Sequence, residues 1–303
     1  MKRTVSILLS LVLIVSGVAF ASGAKESAEP DGVVIGLSIS TLNNPFFVTL
    51  RDGAQSAADE LGVKLVIVDS QDDPAREASN VQDLIQQGVD ALLINPTDSD
   101  AVAPSVKRAN DAGIPVFTVD RGANEGKVVA HIASDNVAGG KVAAEFLIDA
   151  IGGRGSVVEL QGIPGTSAAR DRGAGFNEVV NAASGVKIVA AQTANFNRTE
   201  GLNVFQNILQ AEPKIDGVFA HNDEMILGAI QAAEAAGRAK DIVFVGFDAV
   251  DDAVAAVKGG RLAATVAQQP AEIGSIGVMT AVSFLEGVDV ASYIPVPLSL
   301  VTK

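Results

Sequence analysis

The sequence predicts an α/β protein built as two similar lobes, each a doubly wound parallel sheet. Short Val/Ile-rich runs alternate with longer amphipathic stretches, the pattern of βα units. The alternation falls into two series along the chain, which share an architecture but no visible sequence repeat. The 303 residues exceed what one open α/β core needs and suit two lobes of roughly 100–150 residues each.

Before the first series, Lys2 and Arg3 precede an apolar run from Val5 to Phe20, and Ala19-Phe20-Ala21 and Ser22-Gly23-Ala24 offer small-residue cleavage sites. Residues 1–24 are therefore expected to be a secretory signal peptide, the run being shorter than the ~20 residues that span a membrane. In the first series, strands Val33–Ser38, Lys64–Asp69, Ala91–Asn95, Val116–Val119 and Val129–Ala133 enclose helices near Phe46–Leu61, Ala75–Gln87 and Asp98–Ala112. Gly62, Gly88 and Gly113 mark the helix ends. In the second, strands Ser156–Leu160, Lys187–Gln192, Gly217–Ala220, Ile242–Gly246 and Ala264–Ala267 alternate with helices near Ala168–Ala182, Thr199–Gln210, Glu224–Ala236 and Val250–Val257. A last helix near Ala271–Leu285 and an extended segment Val296–Val301 lie beyond it and are placed to return to the first lobe. The chain then crosses between lobes near Ala133–Asp135, Ala267–Pro270 and Pro297–Leu298. Residues 32–134 plus 269–297 form one lobe and 135–268 plus 298–303 the other.

A formal charge of −14 without clustered Lys or Arg argues against a nucleic-acid surface. The absence of Cys excludes disulfides, thiolate nucleophiles, Cys-ligated zinc and a lipid-modified N-terminal Cys. Asp69, Asp72 and Asp73 lack the spacing of a calcium loop, so neither metal nor cofactor is expected. With two His residues and no activated nucleophile, catalysis has little to stand on, and the chain is not expected to be an enzyme. A basic helix-turn-helix, which a repressor on this architecture would carry before the first strand, is replaced by the signal segment.

Ligands in open α/β sheets bind at the carboxyl ends of strands, and polar or aromatic residues gather there in this sequence. Asn44, Phe46 and Phe47 follow the first strand, where an amide beside two rings suits a small polyol with apolar C–H faces and hydroxyls. The dipeptide Asp120-Arg121 offers an accepting carboxylate beside a donating guanidinium fork. Asn222, Asp248 and Gln268 repeat the theme in the second lobe, though taken singly each also has a capping or turn explanation. Asp223 and Asp251 are assigned that capping role. Arg172, one turn into its helix, is read as a second guanidinium reaching the cleft, with Arg170 pointing elsewhere. The Gly165–Gly173 loop matches neither the Walker nor the dinucleotide fingerprint. Phe196 is a loop aromatic, either packing plug or ligand platform. His131 is a structural histidine, and His221 adjoins Asn222 at the cleft.

These residues resemble, over nearly the whole mature chain, the periplasmic ribose-binding proteins of ABC sugar importers, within the type I periplasmic-binding fold. The resemblance is carried by Ser40–Phe47, Leu92–Val102, Asp120-Arg121, His131–Asn136, Glu159–Gly162, Gly165–Gly173, Asn222–Glu224, Gly246–Asp248 and Ala267-Gln268. It implies a pyranose between Phe46 and Phe47 of one lobe and Phe196 of the other. Its hydroxyls would meet Asn44, Asp120, Arg121, Arg172, Asn222, Asp248 and Gln268. Pro164 and His221 depart from the family's pattern without replacing a contact residue. The chain lacks the Trp platform and calcium loop of galactose-type relatives, which favours ribose, with allose as near competitor. The implied partners are the sugar, the membrane subunits of an ABC importer and a chemotaxis receptor reading the same closed surface. The implied protein is a periplasmic monomer.

Overall fold

The computed structural model describes residues 32–303, and the expected signal segment lies outside the described residues. The elements run β1 (Val34–Ile39), α1 (Pro45–Leu61), β2 (Lys64–Asp69), α2 (Pro74–Gln86), β3 (Ala91–Ile94), α3 (Ala103–Asp111), β4 (Val116–Val119), β5 (Ala130–Ser134) and α4 (Asn136–Ala150). They continue with β6 (Gly155–Gln161), α5 (Ser167–Ala182), β7 (Val186–Thr193), α6 (Arg198–Ala211), β8 (Gly217–Ala220), α7 (Asp223–Ala235), β9 (Val243–Asp248) and α8 (Asp251–Lys258). The last are β10 (Ala264–Ala267), α9 (Pro270–Leu285), β11 (Tyr293–Val296) and β12 (Ser299–Thr302).

The strands form two six-stranded sheets, ordered β11-β5-β4-β3-β1-β2 and β12-β10-β9-β8-β6-β7. The first is parallel throughout; in the second, β12 runs antiparallel to β10. Central strands such as β3 (ALLI) and β8 (GVFA) are buried at every position, as sheets covered on both faces require. Edge strand β7 exposes Lys187 and Gln192 instead. Among the described residues the chain passes from one sheet's elements to the other's after β5, after β10 and after β11.

Four features differ from the sequence expectation. Helix α3 starts at Ala103 and not Asp98, because Asp98 Oδ1 accepts from the Asp100 and Ala101 N–H groups, both at 2.8 Å, and holds a turn there. Helix α4 was not anticipated. Its Gly139-Gly140 pair imitates a turn, yet a Cβ at Gly139 would strike the Phe247 ring and one at Gly140 the Arg172 carbonyl. The glycines are there for close packing. The segment 296–301 is divided between sheets, Val296 ending β11 and Ser299 opening β12; β11 carries Pro295, which an edge strand tolerates. Finally, Asp223 and Asp251 are not caps. The N-cap of α7 is Asn222, whose Oδ1 accepts from Met225 N–H at 3.0 Å, and α8 follows Val250 with no side-chain cap.

Three helix pairs approach closely through reciprocal glycines. Gly53 of α1 lies under the Ala271 carbonyl of α9, and Gly274 of α9 under the Leu50 carbonyl of α1. Gly140 and Gly175 do the same for α4 and α5 against Arg172 and Val137, as do Gly201 and Gly228 for α6 and α7 against Met225 and Arg198. A side chain at any of these positions meets backbone, which cannot rotate away as a side chain would. Gly274→Ala is expected to destabilise the protein by about 1–3 kcal/mol through overpacking, read as a lower denaturant midpoint with unchanged slope.

Candidate functional site

The carboxyl ends of the two sheets face one another across a narrow polar cavity. All ten residues singled out in the sequence line it: Asn44, Phe46, Phe47, Asp120 and Arg121 from the first lobe, Arg172, Phe196, Asn222 and Asp248 from the second, and Gln268 at a crossing. Ala168 completes the wall.

Local backbone chemistry aims these side chains. Asn44 caps α1, its Oδ1 accepting from Phe46 N–H at 3.0 Å, which leaves the amide nitrogen for other partners. Phe46 and Phe47 lie edge to face, centroids 5.2 Å apart at 88°, so only one can present its face to a given ring. Phe196 is seated on Gly162, where a Cβ would overlap its ring. The Arg121 guanidinium stands 4.9 Å from the Phe47 centroid and 5.3 Å from that of Phe196. Asp120, Phe196 and Asp248 have φ of 63°, 57° and 120°, a region that non-glycine residues enter at a cost of order 1–3 kcal/mol. Such strain clusters where side chains must point in one direction.

The cavity holds two carboxylates and two guanidiniums, each at most 5% exposed. Arg121 Nε is 3.8 Å from Asp120 Oδ2, and Arg172 Nη1 is 3.5 Å from Asp248 Oδ1. Both pairs are too long for strong hydrogen bonds. Among the described residues Asp120 Oδ1, Arg121 Nε and Gln268 Oε1 are buried without partners, each at a cost of about 1–3 kcal/mol. A molecule rich in hydroxyls can donate to the carboxylate and amide oxygens and accept from the guanidinium. Burial raises the Asp120 carboxyl above its ordinary range against the pull of Arg121 and Arg172. Burial likewise pushes Asp248 up to about 7, against Arg172 and Gln268. Asp223 is raised well above its ordinary value by burial and then by Asp248. Both guanidiniums are lowered by burial.

Around the cavity the lobes touch directly. Ser99 N–H donates to Gly165 O at 2.9 Å, Ser167 N–H to Ser99 Oγ at 3.2 Å, and Gly122 N–H to Ser167 Oγ at 2.9 Å. Arg170 points away from the cavity as expected, but reaches Asn124 Oδ1 of the facing lobe at 3.2 Å. His131 bonds Thr118 Oγ1 at 2.9 Å.

Two supporting residues escaped the sequence reading. Asn95 donates to Val119 O at 3.0 Å and holds the approach to Asp120. Asn136 accepts from Arg172 Nε at 2.8 Å. Both are amides just beyond strand ends, β3 and β5, the same placement that singled out Asn222. That rule, applied to every strand, would have found them. Asp223 likewise proves to be a clamp, accepting from Val250 N–H at 3.0 Å and Thr265 Oγ1 at 2.8 Å, which fixes the loop after Asp248.

Comparison with known proteins gives a consistent set of likenesses. The family described as periplasmic binding protein domain matches residues 35–289. The ribose import binding protein of Salmonella typhimurium is 54% identical over 293 residues, 97% of this chain and 98% of that protein. Its counterpart in Bacillus subtilis is 48% identical over 309 residues, covering all of both. A periplasmic solute binding protein of an ABC transporter from Actinobacillus succinogenes, solved with bound D-allose, superposes with a TM-score of 0.85 at 32% identity, over 89% of this chain and 98% of that one.

Two measurements probe this geometry. A Cβ at Gly165 would collide with the Asp98 carboxylate, which two backbone N–H groups hold in place. Gly165→Ala is therefore expected to part the lobes, seen as a larger radius of gyration in X-ray scattering. Asp248 keeps its proton in the folded protein between its ordinary pKa of 3.8 and about 7, so the stability contributed by that proton is present at low pH and lost as pH rises through that window. Asp248→Asn, which has no proton to lose, should gain on the wild type as pH is raised from about 5 to about 8 in chemical denaturation of ligand-free protein.

Proposed function

The chain belongs to the periplasmic binding protein family, and on that footing we propose that it captures D-ribose between two closing lobes and hands it to the membrane subunits of an ABC-type importer. The observation that carries this is the cavity in which two carboxylates, two guanidiniums, three amides and three rings from both lobes converge. The protein is a solute carrier and not an enzyme; its chemistry is binding and release. It works in the periplasm, and we assign its export to the segment at residues 1–24.

In this mechanism Phe46, Phe47 and Phe196 enclose the apolar faces of the sugar ring. Asn44, Asp120, Arg121, Arg172, Asn222, Asp248 and Gln268 hydrogen-bond its hydroxyls. The lobes we assign as 32–134 plus 269–297 and 135–268 plus 298–303 close over it, since neither lobe alone carries the full set of donors and acceptors. Hydrogen bonds to charged groups contribute about 1.5–3 kcal/mol each, offset by lost water contacts and the cost of closure. A net affinity of about −8 kcal/mol or stronger, micromolar or tighter, follows. The rings stack on many sugars, whereas an analogue lacking one hydroxyl strands a buried charge, a defect that can cost on the order of 10⁴-fold.

Isothermal titration of the mature chain, refolded once to remove carried-over ligand, should give saturable one-to-one binding of D-ribose, with allose, galactose, xylose and arabinose weaker. Tighter binding of allose would move the substrate and keep the fold and mechanism. Asp120→Ala or Arg172→Ala should abolish detectable binding with an unchanged far-UV circular dichroism spectrum; near-native affinity in either rejects the assigned site. Phe196→Ala should weaken binding while leaving the order of preference among pentoses intact.

A further inference from the structure

Arg172 lines the cavity, and its two shortest hydrogen bonds go to acceptors that do not. Nε donates to Asn136 Oδ1 at 2.8 Å and Nη1 to the His221 carbonyl at 2.6 Å. We infer that His221, locked from behind by Glu159, is a positioning residue that fixes the direction of Arg172 and thereby the recognition of one ligand hydroxyl.

The His221 side chain turns away from the cavity and is 1% exposed. Its Nδ1 accepts from Gly162 N–H at 3.3 Å, and its Nε2 lies 2.9 Å from Glu159 Oε1. A backbone N–H can only donate, so Nδ1 carries no hydrogen and Nε2–H donates to the carboxylate. Burial lowers the imidazole's pKa, which favours this neutral form. The carboxylate is anchored in turn. Glu159, also 1% exposed, accepts from Asn177 Nδ2 and from Gln161 Nε2, each at 3.2 Å. Asn177 lies on α5, the helix that carries Arg172. The ring therefore ties together the loop after β6, the end of β8 and, through Glu159, helix α5.

Displacement of this ring would move more than one contact. The next residue, Asn222, caps α7 with its Oδ1 and donates from Nδ2 to Phe196 O at 3.2 Å. The residue 221 carbonyl and the Asn222 Cα belong to one planar peptide unit, so a shift of that unit moves the acceptor of Arg172 and carries with it the Asn222 side chain that holds Phe196 O. A leucine in place of the imidazole would leave Gly162 N–H buried without its acceptor and take from Glu159 Oε1 its shortest donor, with only Asn177 Nδ2 at 3.2 Å remaining on that oxygen. Glutamine could restore both, its amide oxygen accepting and its NH₂ donating.

This inference rests on the cavity being the sugar site. The test is isothermal titration of wild type, His221→Leu, His221→Gln and Arg172→Lys with D-ribose and its monodeoxy analogues. His221→Leu should weaken ribose binding by at least about tenfold, the scale of one lost hydrogen bond to a charged group, and His221→Gln should recover most of it. The deoxy analogue least affected by Arg172→Lys should be the one least affected by His221→Leu, because both variants lose the same hydroxyl contact. His221→Asn, too short to reach both partners, gives the same pattern if the leucine variant does not fold. Unchanged affinity in a folded leucine or asparagine variant overturns the inference alone, as does a loss spread evenly over all analogues. A wild-type protein that binds no sugar overturns the site and the inference together.

Discussion

Two buried guanidinium groups, Arg121 just beyond β4 and Arg172 on α5, are the constraint on which the rest of the site depends. Each is 3% exposed, and neither has a carboxylate within strong hydrogen-bonding distance. Taking such a charge out of water costs several kcal/mol, and it is tolerated only where acceptors replace the lost hydration. Pro96 O accepts from Arg121, while Asn136 Oδ1 and His221 O accept from Arg172, so part of each fork is satisfied by the protein. The remainder looks into the cavity. Since the two arginines come from different lobes, a hydroxyl-rich molecule that completes both does so only when the lobes meet, which makes recognition and closure one event.

Holding polar side chains in such directions needs a backbone that is locally strained and a surround that is not. Asp120, Phe196 and Asp248 all sit at positive φ, each at the end of a parallel strand or in the loop beyond it. Buried polar clamps support them from outside the cavity. Asn95 ties the ends of β1 and β4 together by accepting from Ser40 N–H and donating to Val119 O. Asp223 holds the loop after Asp248 at Val250, and its raised pKa reflects the burial needed to do so. Beneath these, the reciprocal glycine contacts bring α4 against α5 and α6 against α7, so the helix bearing Arg172 and the helix capped by Asn222 each rest on a backbone-to-backbone contact.

The two lobes repeat one strand order yet divide the labour unequally. The first contributes two rings at right angles and an adjacent Asp-Arg pair; the second contributes a ring from a loop, an arginine from a helix and an aspartate from a strand end. The last strand of each sheet differs as well, β11 running parallel and β12 antiparallel to its neighbour, because the chain runs on from the carboxyl end of one sheet into the facing carboxyl end of the other between Val296 and Ser299.

The sequence by itself determined the fold class and the order of the βα units, and, with the family resemblance, the ten residues that line the cavity, because hydrophobic periodicity and polar residues near strand ends are local signals. Helix α4 was illegible for a local reason too: Gly139-Gly140 reads as a turn, and only its neighbours Phe247 and Arg172 explain the pair. Asp223 was legible as a polar residue at a helix start, but whether its carboxylate capped its own helix or clamped another loop depended on Val250 and Thr265 lying beside it. His221 likewise adjoins a cavity residue in sequence while its ring faces Glu159, far away in the chain. Which acceptor each buried donor meets is decided by which strand ends the sheet order brings together, and that is a property of the tertiary structure alone.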